Sequence, residues 1–306
     1  MKLFWKRTFY FTLPLILLIG VVMFADPFNY YRAESFIPQQ VKLNTSYKFH
    51  YPLWKCIEYE RHPVPNILLG DSRTDALGTE AVEQYTGEKW YNFAYGGATV
   101  PEITSTFWYA AEHADLKKVY IGLNFNQMNG YKRMNRVSEA RDIMKQPLLY
   151  PFNKTVVKAF FYNVYYGVTG GDPAIGVPEM APDSFWNFQL KASAENYYSA
   201  FRYGTEFMND LREIAKHCNA KGIELVIFIP PTHTDLQMRI ADFGLTEENA
   251  KWIAELQTFA TVINLDVPND FTSNRDNFKD PFHTKTPQPV LEMIWKRDSI
   301  GVPLSH

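Results

Sequence analysis

Two rhythms of apolar positions run along the chain. The first is one long block. Phe9 to Ala25 contains no charge between Arg7 and Asp26. It is just long enough to cross a bilayer, and Pro14 is tolerated in such a helix. Lys2, Lys6 and Arg7 precede it, and this positive flank predicts a cytoplasmic N-terminus with the remainder outside. Met23 and Ala25 make a poor small-x-small cleavage site, which favours an uncleaved anchor over a signal peptide. Phe28, Tyr30 and Tyr31 suit an aromatic belt just beyond the membrane.

The second rhythm is a series of short apolar runs separated by helical patterns. Ile67–Leu69, Lys89–Ala94, Lys118–Asn124, Ile223–Ile229 and Val262–Val267 read as strands. Between them, residues 73–86, Pro101–Ala114, Tyr203–Ala220 and Thr246–Ala260 read as helices. Thr246 is expected as an N-cap, with Asn249 leaving its capping box imperfect. Five strands alternating with helices predict a three-layer, doubly wound α/β fold with a five-stranded parallel sheet of flavodoxin-like type.

Two stretches stand outside this rhythm. Residues 32–65 read as an irregular approach that closes in His62-Pro-Val-Pro65. Residues 127–200 read as an insertion, either a lid or a helical side layer. It carries Lys132, Arg133, Arg136 and Arg141, then an aromatic stretch from Phe160 to Tyr166, then a loop at Gly170–Gly176. The basic residues read either as a solvated helix face or as a surface for an anionic glycan or lipid headgroups. The expected organisation is an anchor over residues 1–26 and an extracytoplasmic domain over 27–306.

Composition changes this picture little. Apolar residues make up 46% and aromatics 16%, enough for a large core and for sugar-contacting surfaces. A net charge of −2 offers no electrostatic case for nucleic acid. The two cysteines, Cys56 and Cys218, fit either one disulfide or two buried thiols. No His/Cys/Asp cluster has ligand spacing, so neither metal nor cofactor is expected.

The candidate chemistry sits at strand ends, where open α/β sheets bind ligands. Asn66-Ile-Leu-Leu-Gly-Asp-Ser72 is a strand running into a tight turn that presents a serine. By itself this is also an ordinary strand-to-helix turn with Asp71 or Ser72 as cap. Near the other end, Asp280-Pro-Phe-His283 supplies what a serine nucleophile needs, a base and a carboxylate to orient it.

Four blocks, in order, resemble those of the SGNH (GDSL-like) hydrolases: Gly70-Asp71-Ser72, Asn92-Phe-Ala-Tyr-Gly-Gly97, Gly122-Leu-Asn124 and Asp280-Pro-Phe-His283. The resemblance implies Ser72 as nucleophile and Asp280 and His283 as its partners. It also implies an oxyanion hole from the backbone of Ser72 and Gly97, with Gly96 as the alternative, and from the side chain of Asn124. Arg73 stands where this family usually has leucine, and Phe125 follows Asn124 where an aspartate is usual. These departures resemble the membrane-anchored SGNH-like proteins that modify cell-envelope polysaccharides. Arg73 and His233, which follows the fourth strand, are candidate substrate contacts, with a plain loop histidine as the alternative for His233. The implied activity is ester hydrolysis or O-acyl transfer, with acetyl as the acyl group, on a polysaccharide. A transferase would imply a membrane-bound acyltransferase partner. A catalytically inactive polysaccharide-binding or assembly subunit is the reading from a different class, and a lipase near the bilayer is a third.

Overall fold

A computed structural model describes residues 1–32, 35–171 and 180–296. The chain divides into two compact units, one of residues 1–61 and 136–178, the other of 62–135 and 179–306.

The second unit holds the sheet. Five parallel strands, β1 (Asn66–Leu69), β2 (Tyr91–Asn92), β3 (Lys118–Gly122), β4 (Glu224–Ile229) and β5 (Thr261–Asn264), run in the order 2-1-3-4-5. This is the doubly wound order expected from the sequence. Leu68 pairs with Tyr120, Tyr120 with Val226, and Phe228 with Ile263, so these side chains share one face. There they form an apolar cluster with Leu77, Val82, Leu291 and Ile294 from the helices Thr79–Thr86 and Gln288–Trp295 and the turn before the first. Helices Val100–His113 and Thr205–Lys221 contact each other and pack on β1 and β4 respectively. The first starts with a full capping box between Thr99 and Glu102.

Several boundaries differ from the sequence reading. The helix expected over 73–86 is broken at Gly78, whose φ of 67° ends one turn and starts the next. β2 is only two residues long. The Asn92 side chain donates to Thr74 O and accepts from Ala94 N, while the N–H groups of Phe93 and Tyr95 still donate to Leu68 O and Gly70 O. Thr246 is the first helical residue rather than the cap, and no side chain caps that end.

The first unit is helical. Its N-terminal helix, Lys2–Ala25, is long and apolar enough to cross a membrane. Residues 32–65, expected to be irregular, contain the helices Gln39–Lys42 and Tyr51–Arg61. Pro38 and Pro52, which argue against helix in its interior, stand instead at the starts of these helices, where a missing N–H costs nothing. Arg136–Met144 and Lys154–Thr169 complete the unit. The loop expected at 170–176 lies, from 172 onward, outside the described residues.

The C-terminal end of the N-terminal helix is fixed by Asp26, which takes a left-handed conformation. Its carboxylate accepts from the backbone N–H groups of Tyr30, Tyr31 and Arg32 and from the Tyr150 hydroxyl. Lys42, fully buried, donates its ammonium to Asp26 O and Asn29 Oδ1. Phe28, expected in an exposed belt, is buried, and Tyr30 stacks on Tyr150. Cys56 and Cys218 are both buried and unbridged, and burial pushes the Cys218 thiol up to about 12.

Candidate active site

β1 delivers Ser72 through a turn that only glycine permits. Gly70 has φ 153°, and a Cβ on it would lie 2.2 Å from Thr74 Oγ1. A Cβ on Gly122, at the end of β3, would lie 1.9 Å from the same oxygen. The two strand ends therefore close around the Thr74 side chain. Asp71 caps the short turn that follows, accepting from Arg73 N at 3.0 Å. Ser72 thus begins the turn with its hydroxyl directed outward.

The base reaches it from a different element. Phe278–Asp280 (β6) pairs antiparallel with His283–Thr284 (β7), and Asp280 stands opposite His283 across the Pro281-Phe282 turn. The three-residue spacing is thus the span of a tight hairpin. His283 Nδ1 is 2.8 Å from Asp280 Oδ2 and 3.0 Å from Oδ1. His283 Nε2 is 2.7 Å from Ser72 Oγ. Asp280 is itself held by the Phe282 N–H at 2.8 Å. With Nδ1 protonated toward Asp280, Nε2 presents a lone pair and accepts from the serine hydroxyl.

A cavity of about 410 Å³ opens on this pair. Gly97, with φ 70°, lines it. Among the described residues, neither the Ser72 N–H nor the Gly97 N–H has a protein acceptor. Asn124 does not line the cavity. It is buried behind Ser72, and its Nδ2 donates to Asp71 Oδ2 at 3.1 Å. Asn126, two residues on, does line the cavity. Its Oδ1 accepts from Arg73, and among the described residues its amide N–H₂ has no protein partner. The sequence signal for Asn126 is its place in Asn124-Phe-Asn126, just beyond the third strand, which folds as the 3₁₀ turn Phe125–Met128.

Arg73 is buried and pairs with Asp71 at 2.7 Å. Its guanidinium also lies 5.6 Å from the centre of the Phe282 ring, next to His283. Burial alone would push the Asp71 carboxyl up, but the charge and hydrogen bonds of Arg73 prevail and hold it below the usual carboxylate range. Arg73 lines the cavity, with its Nε and Nη2 donating to Asp71 and Asn126. His233 does not line it. Its Nδ1 caps the helix Thr234–Asp242 by accepting from Asp235 N, and its ring packs against Trp186 and Phe278. Its backbone N–H donates to Pro281 O at 2.9 Å, so it steadies the hairpin that carries the base.

The cavity's remaining wall mixes rings and polar groups: Tyr131, Tyr197 and Phe282, with Lys132, Gln189 and Asn196. The Lys132 ammonium lies 5.4 Å from the centre of the Tyr197 ring. Among the described residues, no group of three or more His, Cys, Asp or Glu side chains is placed to hold a metal.

No family model matches the chain, and no curated protein matches it. Among solved structures, it is similar to one described as a "putative acylhydrolase" from Bacteroides fragilis. Identity is 12% over 80% of this chain and 93% of that one, with a TM-score of 0.44. It is also similar to one described as a "putative platelet activating factor" from Streptococcus pneumonia, at 11% identity over 87% and 97% of the two chains and a TM-score of 0.44. The functional reading therefore rests on this chain's own residues.

Proposed function

We propose that the chain is a serine-dependent esterase or O-acyltransferase of SGNH type that acts outside the membrane on acyl, chiefly acetyl, esters of a polysaccharide. The observation that carries this reading is the unbroken contact from Asp280 through His283 to Ser72 at the mouth of a cavity. A lone serine on a strand-end turn would support no such reading.

In the proposed reaction, Ser72 Oγ attacks the ester carbonyl as its proton passes to His283 Nε2. Asp280 holds the ring and stabilises the imidazolium. The oxyanion develops beside the Ser72 and Gly97 N–H groups, with Asn126 rather than Asn124 as the side-chain donor. Collapse expels the alcohol, which takes the proton from His283, and leaves acyl-Ser72. Water then regenerates the serine with release of acid, or a sugar hydroxyl takes the acyl group. In the second case an acyl donor must be supplied outside the membrane, which calls for a membrane acyltransferase partner. The Tyr131, Tyr197 and Phe282 rings beside polar side chains suit a sugar better than a long acyl chain. The N-terminal helix acts as the anchor.

The test uses the full chain in detergent, because Val22 and Ala25 belong to the first unit's core and truncation at residue 26 would expose it. Release of acetate from p-nitrophenyl acetate and labelling by a fluorophosphonate are measured for wild type, Ser72→Ala and His283→Ala. Both signals are expected in wild type and lost in the variants. Equal signals in folded Ser72→Ala would overturn the reading. A folded wild type with neither signal would favour a binding subunit.

A further inference from the structure

Outside the site, the largest unexplained feature is a second apolar face on the helix Lys154–Thr169. One face of this helix, with Val156, Ala159 and Phe160, is buried in the first unit's core. A globular surface helix would be polar on the opposite side. Here Phe161, Val164, Tyr165 and Val168 are 52, 43, 50 and 82% exposed. Their i, i+3, i+4, i+7 spacing places all four within about 100° of arc on one side of the helix. Single exposed apolar residues need no explanation, but a contiguous stripe marks a contact surface. The turn just before the helix adds Leu148 and Phe152, 85 and 57% exposed.

The N-terminal helix indicates what covers this stripe. Leu18, Val22 and Ala25, from its last two turns, share a core cluster with Val156, Ala159 and Phe160, and the two helices are in contact. Leu18 to Ala25 covers about 10 Å of helix at 1.5 Å per residue. If the N-terminal helix spans a bilayer, an element packed on those turns lies at the depth of the headgroup and acyl boundary. That is where amphipathic helices bury an apolar face by about 5–10 Å. The composition fits the same zone: Tyr162, Tyr165 and Tyr166 are residues of the membrane interface. Lys158 borders the stripe with its ammonium 5.4 Å from the centre of the Tyr162 ring.

We propose that the Phe161–Val164–Tyr165–Val168 face lies in the extracytoplasmic interface of the bilayer that the N-terminal helix spans, so that the first unit is held at the lipid surface by two elements. This rests on the anchor reading above. Its ligand is the lipid surface, independent of the chemistry at Ser72.

The test places an environment-sensitive NBD label on Val164→Cys and Val168→Cys. The full chain is reconstituted in phosphatidylcholine/phosphatidylglycerol vesicles, and the unsubstituted chain reports background from the two buried native thiols. Ile16→Cys serves as reporter of the N-terminal helix. The expected result is blue-shifted emission at 164 and 168, quenched several-fold more by phospholipid doxyl-labelled near the headgroup than by aqueous iodide. Ile16 should be quenched best by a doxyl group deep in the acyl chain. Iodide-quenched, unshifted emission at 164 and 168 with Ile16 in lipid would overturn the proposal and leave the anchor standing. Emission at 164 and 168 shielded from both quenchers would show a protein covering the face and would also overturn it. Ile16 accessible to iodide would remove the anchor and the proposal together.

Discussion

The Nη2 atom of Arg73 lies 2.7 Å from Asp71 Oδ2 and 3.1 Å from Asn126 Oδ1. One buried cation thus ties the turn that carries the nucleophile to the segment that carries the pocket-facing amide. Removing it leaves the Asp71 carboxylate buried without its partner, a loss of about 3–5 kcal/mol for pairs of this kind. Arg73→Met is therefore expected to lower the chemical-denaturation midpoint and abolish turnover. Arg73→Lys keeps the charge but cannot make the forked contact. It should retain most of the fold and lose activity, as read by midpoint and kcat measured together.

The placement of the two asparagines gives opposite expectations. Asn126→Ala should lower kcat on p-nitrophenyl acetate by about 10²–10³, the usual cost of one oxyanion donor, with a modest loss of stability because Arg73 Nη2 gives up one acceptor but keeps Asp71. Asn124→Ala should instead spare the chemistry and cost stability, because Asp71 Oδ2 loses one of its buried donors while Arg73 remains. Equal kcat losses without a stability change would return the oxyanion role to Asn124.

Asp280→Asn is the cleanest probe of the hairpin. The substitution preserves shape but favours the wrong histidine tautomer, and a drop in kcat of about 10⁴ is expected. The loss should exceed any effect of His233→Ala, which reaches the hairpin through the Pro281 carbonyl and the Phe278 ring rather than through the catalytic side chains. Comparing kcat for the two variants checks the order.

The closure of the strand ends around Thr74 predicts a specific rescue. Gly122→Ala puts a methyl group 1.9 Å from Thr74 Oγ1 and should destabilise strongly. Thr74→Ala in the same chain should recover part of the loss, since only the Phe228 ring at 2.9 Å then remains in the way. A double-mutant cycle by chemical denaturation would show a coupling of about 0.5–3 kcal/mol.

Burial lowers the Lys42 ammonium from 10.5 to about 8, against the attraction of Asp26. Between those values the unfolded chain holds the proton that the folded chain has released, so stability must rise with pH across this window. Urea midpoints of the detergent-solubilised chain at pH 8 and pH 10 should differ more for wild type than for Lys42→Met. The difference should be on the order of 2 kcal/mol.

The parallel strands were legible because a strand buried on both faces must be apolar throughout. β1, β3, β4 and β5 stand within three residues of their expected limits. Ser72, Asp280 and His283 stand out because a strand-end serine and an Asp-x-x-His spacing leave local signatures, whereas Gly97 rests on the family resemblance of its block. Asn126 stands beside Asn124 as a candidate donor because of where Arg73 and Asp71 send their hydrogen bonds. Only the folded turn determines that. Arg73 and His233 were placed on the substrate for their charge and position. The structure keeps Arg73 on the cavity wall within an ion pair to Asp71 and sets His233 away from it as a helix cap, roles set by tertiary neighbours. The helices at Gln39–Lys42 and Tyr51–Arg61 escaped notice for a local reason. A proline at a first turn and a proline that breaks a helix look alike until the flanking contacts are known.

Ser72 and His283 are separated by 211 positions, and much of the other unit is encoded between them. Contacts that close loops of this length carry a large entropy cost and form late in folding. Ser72 is thus made early and remains an ordinary alcohol while most of the chain is still being synthesised. It gains its base only when the last strands arrive. A chain terminated before residue 283 therefore holds the serine without its histidine, and chain order itself ties the assembly of the Ser72–His283 contact to completion of the fold.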